Sequence, residues 1–222
     1  MTKIRVGIAD DELLFIQGMK LILEHDPELV VTMEAENGAQ LLTKLSTEKI
    51  LPDVILLDIG MPVMDGVDAL ISIISMSLPV KIIMLTSHYT DSMIVRLLDE
   101  GASGFLPKNE HPDVVIKTIK SVVQSGFYIN DHIVQIVRDR RLLSRKKPIN
   151  AQLSHREIEI LKLICAEFTN KEIAEQLGIS IRTIEGHRMS ILEKTDCKNI
   201  VGMVIYAIEH KIIQVHLSRI VR

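Results

Sequence analysis

The sequence holds two cysteines, no tryptophan and no unbroken apolar stretch approaching the ~20 residues that a membrane helix needs. Cys165 and Cys197 have no metal-type spacing and make no disulfide framework. They read as small apolar fillers in a reducing compartment. The most apolar late stretch, Ile200 to Ile208, is too short to span a bilayer. At the other end, Met1-Thr2-Lys3-Ile4-Arg5 runs straight into a strand pattern without a secretory segment. These absences imply a soluble, cytoplasmic protein with no membrane partner. No Gly-rich loop follows the first strand, where Asp10-Asp11-Glu12 would repel phosphate, which argues against a nucleotide-binding sheet. Internal repeats and low-complexity tracts are also lacking.

What is present is long enough for two domains, at 222 residues, and its 47% hydrophobic content argues against a disordered chain. The net charge of -3 conceals an asymmetry. Residues 1–125 carry 10 Lys and Arg against 18 Asp and Glu, whereas residues 126–222 carry 16 against 11. An acidic half joined to a basic half implies different partners, the basic one suited to a polyanion.

In the acidic half, short apolar runs alternate with helical patterns. Strands are expected at Ile4 to Ile8, Leu29 to Met33, Asp53 to Asp58, Val80 to Leu85 and Gly104 to Leu106. Helices are expected over Glu12–His25, Ala39–Leu45, Asp65–Met76, Asp91–Glu100 and Pro112–Gln124. This alternation predicts a doubly wound, five-stranded parallel sheet with right-handed crossovers and helices on both faces. Ligands bind such sheets in the crevice outside the carboxyl ends of the strands. Those ends carry Asp10 and Asp11, Asp58, Thr86 and Lys108. Taken singly, Asp58 would serve equally well as a cap for a loop or a following helix. Taken together, three carboxylates in one crevice repel one another, a cost that a divalent cation relieves. An all-oxygen set favours Mg²⁺ over zinc. A metal, an ammonium and a hydroxyl around one carboxylate suit phosphoryl transfer onto that carboxylate.

Asp10-Asp11, Asp58 followed by Met61-Pro62 and Asp65-Gly66, Thr86 and Lys108 resemble the receiver domain of a two-component response regulator, with its flavodoxin-like fold. The resemblance implies that Asp58 accepts a phosphoryl group from a histidine kinase. It implies that Asp11, Asp58 and the Gly60 carbonyl hold Mg²⁺, with Asp10 acting largely through metal-bound water. Thr86 and Lys108 would contact phosphoryl oxygens, and Phe105 occupies the position of the aromatic switch. Two features depart from the pattern. Asn109 rather than proline follows Lys108, with Pro107 before it, so a cis Lys-Pro bond is not expected. Phe105 has no hydroxyl, so a switch there works by packing. An aspartyl-phosphate phosphatase would want a second carboxylate two residues after the nucleophile, where this chain has Gly60.

Residues 126–149 read as a basic, partly helical linker. Asp131 to Leu143 has helical spacing, and Arg138-Asp139-Arg140-Arg141 and Ser144-Arg145-Lys146-Lys147-Pro148 add positive charge. A solvated linker, a phosphate-backbone contact and a rest against the acidic domain all remain open for it. Ser154-His155-Arg156-Glu157 then forms a capping box that opens a helix. Asn170 is expected to cap a second helix, Lys171–Leu177, which Gly178 ends. Ser180 caps a third, from Ile181 to about Thr195, and a fourth runs from Lys198 to His210. The tight Gly-containing turn between the second and third makes a helix-turn-helix unit. On the third helix Ile184, Arg188, Ile191 and Leu192 fall toward the core side, whereas Arg182, Glu185, Gly186, Met189 and Glu193 face outward. Glutamate can accept from a cytosine amino group, so Glu185 is a candidate base reader.

Leu153-Ser154-His155-Arg156-Glu157, Asn170-Lys171-Glu172-Ile173-Ala174, Thr183-Ile184-Glu185-Gly186-His187 and Lys194 resemble the LuxR-type DNA-binding domain. Joined to a receiver, the whole resembles the NarL/FixJ class of response regulators. In that class the positions of Glu185, Gly186 and Met189 face bases, while Lys171, Thr183 and Lys194 lie near phosphates. The fourth helix, with Val201, Val204, Ile205 and Ile208 inward, often pairs two subunits by its outer face. The expected organisation is a receiver over 1–125, the linker over 126–149, a DNA-binding domain over 150–213 and a tail over 214–222. The implied partners are a histidine kinase, double-stranded promoter DNA, a second subunit when phosphorylated or DNA-bound, and RNA polymerase. No enzyme activity is expected beyond Mg²⁺-dependent self-phosphorylation on aspartate and slow self-dephosphorylation. The alternative is an orphan regulator that uses the receiver only to dimerise.

Overall fold

The computed structural model describes residues 3–87, 89–130, 132–136 and 153–213. Chain contacts divide the protein into two compact units, 1–128 and 129–222. In the first unit five strands form one parallel sheet in the order β2-β1-β3-β4-β5, with β1 Ile4–Ala9, β2 Leu29–Ala35, β3 Val54–Asp58, β4 Lys81–Thr86 and β5 Gly104–Pro107. Between them run α1 Leu13–Glu24, α2 Gly38–Thr47, α3 Gly66–Ser75 and α4 Asp91–Glu100, and α5 Pro112–Ser125 closes the unit. This is the doubly wound sheet that the strand-helix alternation predicts. No peptide bond among the described residues is cis.

All five residues of β3 are buried, as a central strand covered on both faces must be. Val6, Ile8, Leu56, Ile83 and Leu106 from the sheet meet Ile16 and Leu23 of α1 and Val115, Ile119 and Val122 of α5 in one core. Each such side chain contributes about 1.5–3 kcal/mol by leaving water. This packing holds the strands rigidly enough to fix what stands at their ends. Register does the rest: Asp58 lies beside Leu85 of β4, and Thr86 beside Pro107 of β5, so the polar ends line one edge.

Gly66 is required by close approach. A Cβ there would stand 2.0 Å from the Asp58 carbonyl oxygen, while the Gly66 amide donates to Ile59 at 3.0 Å. The start of α3 is thereby pressed against the end of β3. Asp65 caps that helix, accepting from the Asp68 amide at 2.8 Å.

The second unit contains α6 His155–Cys165, α7 Asn170–Leu177, α8 Ile181–Thr195 and α9 Ile200–Glu209. Residues 132–136 are helical, with Ile133, Val134 and Ile136 buried. The basic segments Arg138–Arg141 and Ser144–Pro148, with the tail 214–222, lie outside the described residues. Ser154 and Glu157 form the expected capping box on α6. The cap of α7 differs from expectation: it is Thr169, in a second capping box with Glu172, and Asn170 is the first helical residue. Thr169 and Glu172 have the Thr-x-x-Glu spacing of such a box, and Asn170 is thereby released to accept from Arg188 at 2.5 Å. Gly178, at φ 65°, ends α7, and Ser180 caps α8. Ile184 and Ile191 of α8 are buried, with Arg188 and Leu192 half-buried beside them. In α9 Val201, Val204, Ile205 and Ile208 are buried as expected, and so are Met203, Tyr206 and Ala207.

Replacing Thr169 with alanine should lower the stability of the second unit by about 1 kcal/mol, because the Glu172 amide loses the Thr169 hydroxyl as its acceptor. Urea denaturation followed through α7 and α8 amide resonances measures it. A change of only a few tenths would return the cap to Asn170.

Candidate functional site

The carboxyl edge of the sheet gathers Asp10, Asp11, Asp58, Thr86 and Lys108. Asp10 is fully buried and Asp58 nearly so, while Asp11 is exposed at the rim. Lys108 reaches in from the end of β5, its Nζ 2.9 Å from Asp10 Oδ2 and 3.2 Å from Asp58 Oδ1. Asp58 Oδ2 accepts from the Gly60 amide at 3.0 Å, so both acceptor oxygens are oriented. The backbone takes part as well, since the Lys108 amide donates to the Thr86 carbonyl at 2.9 Å and ties β5 to β4. Thr86 itself is buried.

The electrostatics follow from burial. Desolvation pushes the Asp10 carboxyl above its ordinary pKa, and Lys108 opposes that rise. For Lys108, burial works to lower the pKa, but Asp10 and Asp58 outweigh it and hold the ammonium above its usual range. Lys108 is therefore a fixed positive charge beside Asp58.

One carboxylate oxygen from each of Asp10, Asp11 and Asp58 lies within 4.8 Å of the other two. Asp10 Oδ2 is buried and accepts no hydrogen bond of good geometry, despite its charge contact with Lys108. An all-oxygen cluster with an under-used buried acceptor fits a hard divalent cation such as Mg²⁺. Phe105, the expected switch, is buried and meets the edge of Tyr89, ring centroids 5.1 Å apart at 75°.

Three participants escaped the sequence reading. Glu12 reaches Lys108 Nζ at 3.2 Å, and the Phe15 ring lies under the same ammonium at 5.0 Å. Tyr89 is the third. The only signals in the sequence were nearness of Glu12 to Asp10-Asp11 and of Tyr89 to Thr86, and neither indicates a partner.

In the second unit Arg182, Glu185, Gly186 and Met189 share one exposed face of α8, and a Cβ at Gly186 would meet nothing within 4 Å. This open surface can approach another molecule closely. Thr183 flanks it, its hydroxyl 2.8 Å from Ser180 Oγ. Lys171 is exposed at the start of α7, 4.0 Å from Glu175. Lys194 is differently placed: its Nζ donates to both oxygens of buried Glu157, at 2.7 and 2.9 Å. Ser190 donates to Glu157 Oε1 at 2.7 Å, so one carboxylate caps α6 and also anchors α8. Burial opposes ionisation of Glu157, but Lys194, the Ser154 amide and Ser190 together draw its pKa from 4.5 down to about 2. Arg188 is half-buried against Asn170 and belongs to the α7–α8 junction.

Two family models match: the response regulator receiver domain over residues 6–120, and the bacterial regulatory proteins of the luxR family over residues 151–207. The chain is 34% identical over 225 residues to the transcriptional regulatory protein DegU of Brevibacillus brevis, covering 94% of each. Among solved structures it resembles the signal receiver domain of the putative response regulator NarL from Mycobacterium tuberculosis. That match has 32% identity and a TM-score of 0.52, and covers 55% of this chain and 98% of the other. A complex of the response regulator RcsB with DNA matches 92% of this chain and 98% of its own, at 25% identity and a TM-score of 0.55.

Two outcomes follow from this geometry. Gly66→Ala should destabilise the first unit by about 1–3 kcal/mol, since the added methyl meets the Asp58 carbonyl. Thermal unfolding measures the loss, and shifted Asp58 and Gly60 amide resonances would locate it. Glu157, with its folded pKa of about 2 below the ordinary 4.5, contributes stability that is present above pH 4.5 and lost as the pH falls toward 2. The stability difference between the native protein and Glu157→Gln, measured by urea denaturation of the second unit, should therefore shrink across that window. A difference independent of pH would exclude the ionised Glu157–Lys194 pair as its source.

Proposed function

The chain belongs to the response-regulator family, a receiver domain joined to a LuxR-type DNA-binding domain, and on that premise we propose that phosphoryl transfer from a histidine kinase to Asp58 controls its binding to promoter DNA. It is a DNA-binding response regulator. The observation that carries the mechanism is the pairing at the sheet edge of Asp58, oriented by the Gly60 amide, with Lys108 at 3.2 Å.

An Asp58 oxygen attacks the phosphorus of a phosphohistidine. The oxygen–phosphorus bond forms, the phosphorus–nitrogen bond breaks, and the imidazole leaves with the electron pair and takes up a proton. Asp11, Asp58 and the Gly60 carbonyl would hold Mg²⁺, with Asp10 acting largely through water, and the ion would supply positive charge against the oxygens of the transferring group. Lys108 offers a preformed ammonium to the same oxygens, and the Thr86 hydroxyl donates to one of them. Slow hydrolysis of the acyl phosphate on the same residues ends the signal. As Thr86 moves toward the phosphoryl group, Phe105 repacks against Tyr89, a contact through which the switch works without a phenol at residue 105.

For output, Glu185, Gly186 and Met189 face bases, with Arg182 beside them, and Lys171, Thr183 and Lys194 lie along phosphates. Glu157 leaves Lys194 only part of its charge for that role. Exposure of the α8 face supports this reading, as does the RcsB relative, which has been seen as dimers on DNA. We place the receiver over residues 1–125, the linker over 126–149 and the DNA-binding domain over 150–213. Phosphorylation favours a homodimer that grips two half-sites in the cytoplasm, where RNA polymerase is the downstream partner.

Intact mass after incubation with Mg²⁺ and acetyl phosphate tests the acceptor. The native protein should gain one phosphoryl group and Asp58→Asn none. No gain by the folded native protein would favour an orphan regulator whose receiver serves only to dimerise.

A further inference from the structure

The Lys108 ammonium has three N–H donors, and three carboxylates surround it: Asp10 at 2.9 Å, Asp58 at 3.2 Å and Glu12 at 3.2 Å. They are not equivalent. Asp10 and Asp58 are buried, whereas the Glu12 side chain is 65% exposed. Among the described residues, the candidate metal cluster comprises Asp10, Asp11 and Asp58 and leaves Glu12 out. Nor does Glu12 cap α1, although it stands at the N-cap position. Asp10 Oδ1 accepts from the Glu12 amide at 2.9 Å, and the Glu12 side chain turns toward Lys108. Glu12 is thus a negative charge at the mouth of an anion-accepting pocket, hydrogen-bonded to the lysine that the incoming anion needs.

We propose that Glu12 is a positioning residue that holds Lys108 at the pocket mouth and screens Asp58 against free anionic phosphodonors. The proposal rests on Asp58 being the acceptor. When a phosphoryl oxygen needs a Lys108 N–H, Glu12 is the partner that can yield it, because its carboxylate swings into water while Asp10 and Asp58 cannot. A small phosphodonor must displace Glu12 and approach its charge unaided. A protein donor brings its phosphohistidine in with binding energy from the rest of its surface.

With acetyl phosphate, an Asp58 oxygen–phosphorus bond forms, the phosphorus–oxygen bond to the acetyl group breaks, and acetate leaves with the electron pair. With phosphoramidate, whose nitrogen already carries its third proton at neutral pH, the Asp58 oxygen–phosphorus bond forms, the phosphorus–nitrogen bond breaks, and ammonia leaves with the electron pair. At neutral pH the first donor is a dianion and the second a monoanion. The repulsion from Glu12 therefore differs between two reactions at one acceptor.

The experiment compares the full-length native protein with Glu12→Gln and Glu12→Asp, following phosphorylation by intact mass in the presence of Mg²⁺. Glu12→Gln should accelerate the reaction with acetyl phosphate by about 3- to 10-fold and that with phosphoramidate by no more than about 2-fold. Glu12→Asp, which keeps the charge, should keep the native ratio of the two rates. The acceleration should shrink as salt is raised, which a mere change of pocket shape would not produce. If the native protein is phosphorylated but Glu12→Gln reacts no faster, or gains equally with both donors, the role of Glu12 is overturned and that of Asp58 stands. If the native protein accepts from neither donor, the acceptor reading fails and this proposal with it.

Discussion

Like charges forced together at the edge of a buried sheet are the constraint on which the first unit depends. Asp10 and Asp58 stand where the parallel strands end, with little water to screen them. Lys108, delivered by the neighbouring strand β5, is what the structure supplies against that repulsion. Its position follows from the sheet order, which sets β3 beside β4 and β4 beside β5 with the three carboxyl ends level. The apolar core beneath is the support that keeps these groups from relaxing apart. Remaining capacity at Asp10 Oδ2 and the exposed Asp11 leave the site able to take a cation and then an anion. Such a site is suited to respond to added charge, which the proposed phosphorylation control requires.

In the second unit one buried carboxylate has a comparable organising role. Glu157 satisfies the start of α6 and, through Ser190 and Lys194, fixes the far half of α8 to it. Arg188 and Asn170 fix the near half of α8 to α7. The outward face with Arg182, Glu185, Gly186 and Met189 is therefore presented by a helix held along its length. Interactions that position a surface are distinct from the surface itself, and in α8 they occupy alternate sides of the same helix. Lys194 shows the tension between them, a cation suited by type to phosphate yet engaged by an internal carboxylate.

Much of this was legible before any coordinates. The five apolar runs, their terminal polar residues and the helical spacings are local patterns. Parallel connectivity then forces Asp10, Asp58, Thr86 and Lys108 onto a common edge. Thr169 and Asn170 are both good caps; the Thr169–Glu172 capping box takes the role, and Asn170 turns to Arg188, 18 residues away. Glu12 and Lys108 are 96 residues apart and Glu157 and Lys194 are 37 apart, so no spacing rule relates them.

The sequence by itself determined the class of chemistry and the two-part architecture, because residue type, hydrophobic period and capping act over a few positions along the chain. Tertiary structure alone decided which acid shares Lys108, which ring meets Phe105, and how much of the Lys194 charge remains for another molecule. Those outcomes depend on distances of about 3–5 Å between segments remote in sequence, and Coulomb and packing energies change steeply over that range. A string of residues specifies such distances only through the whole fold.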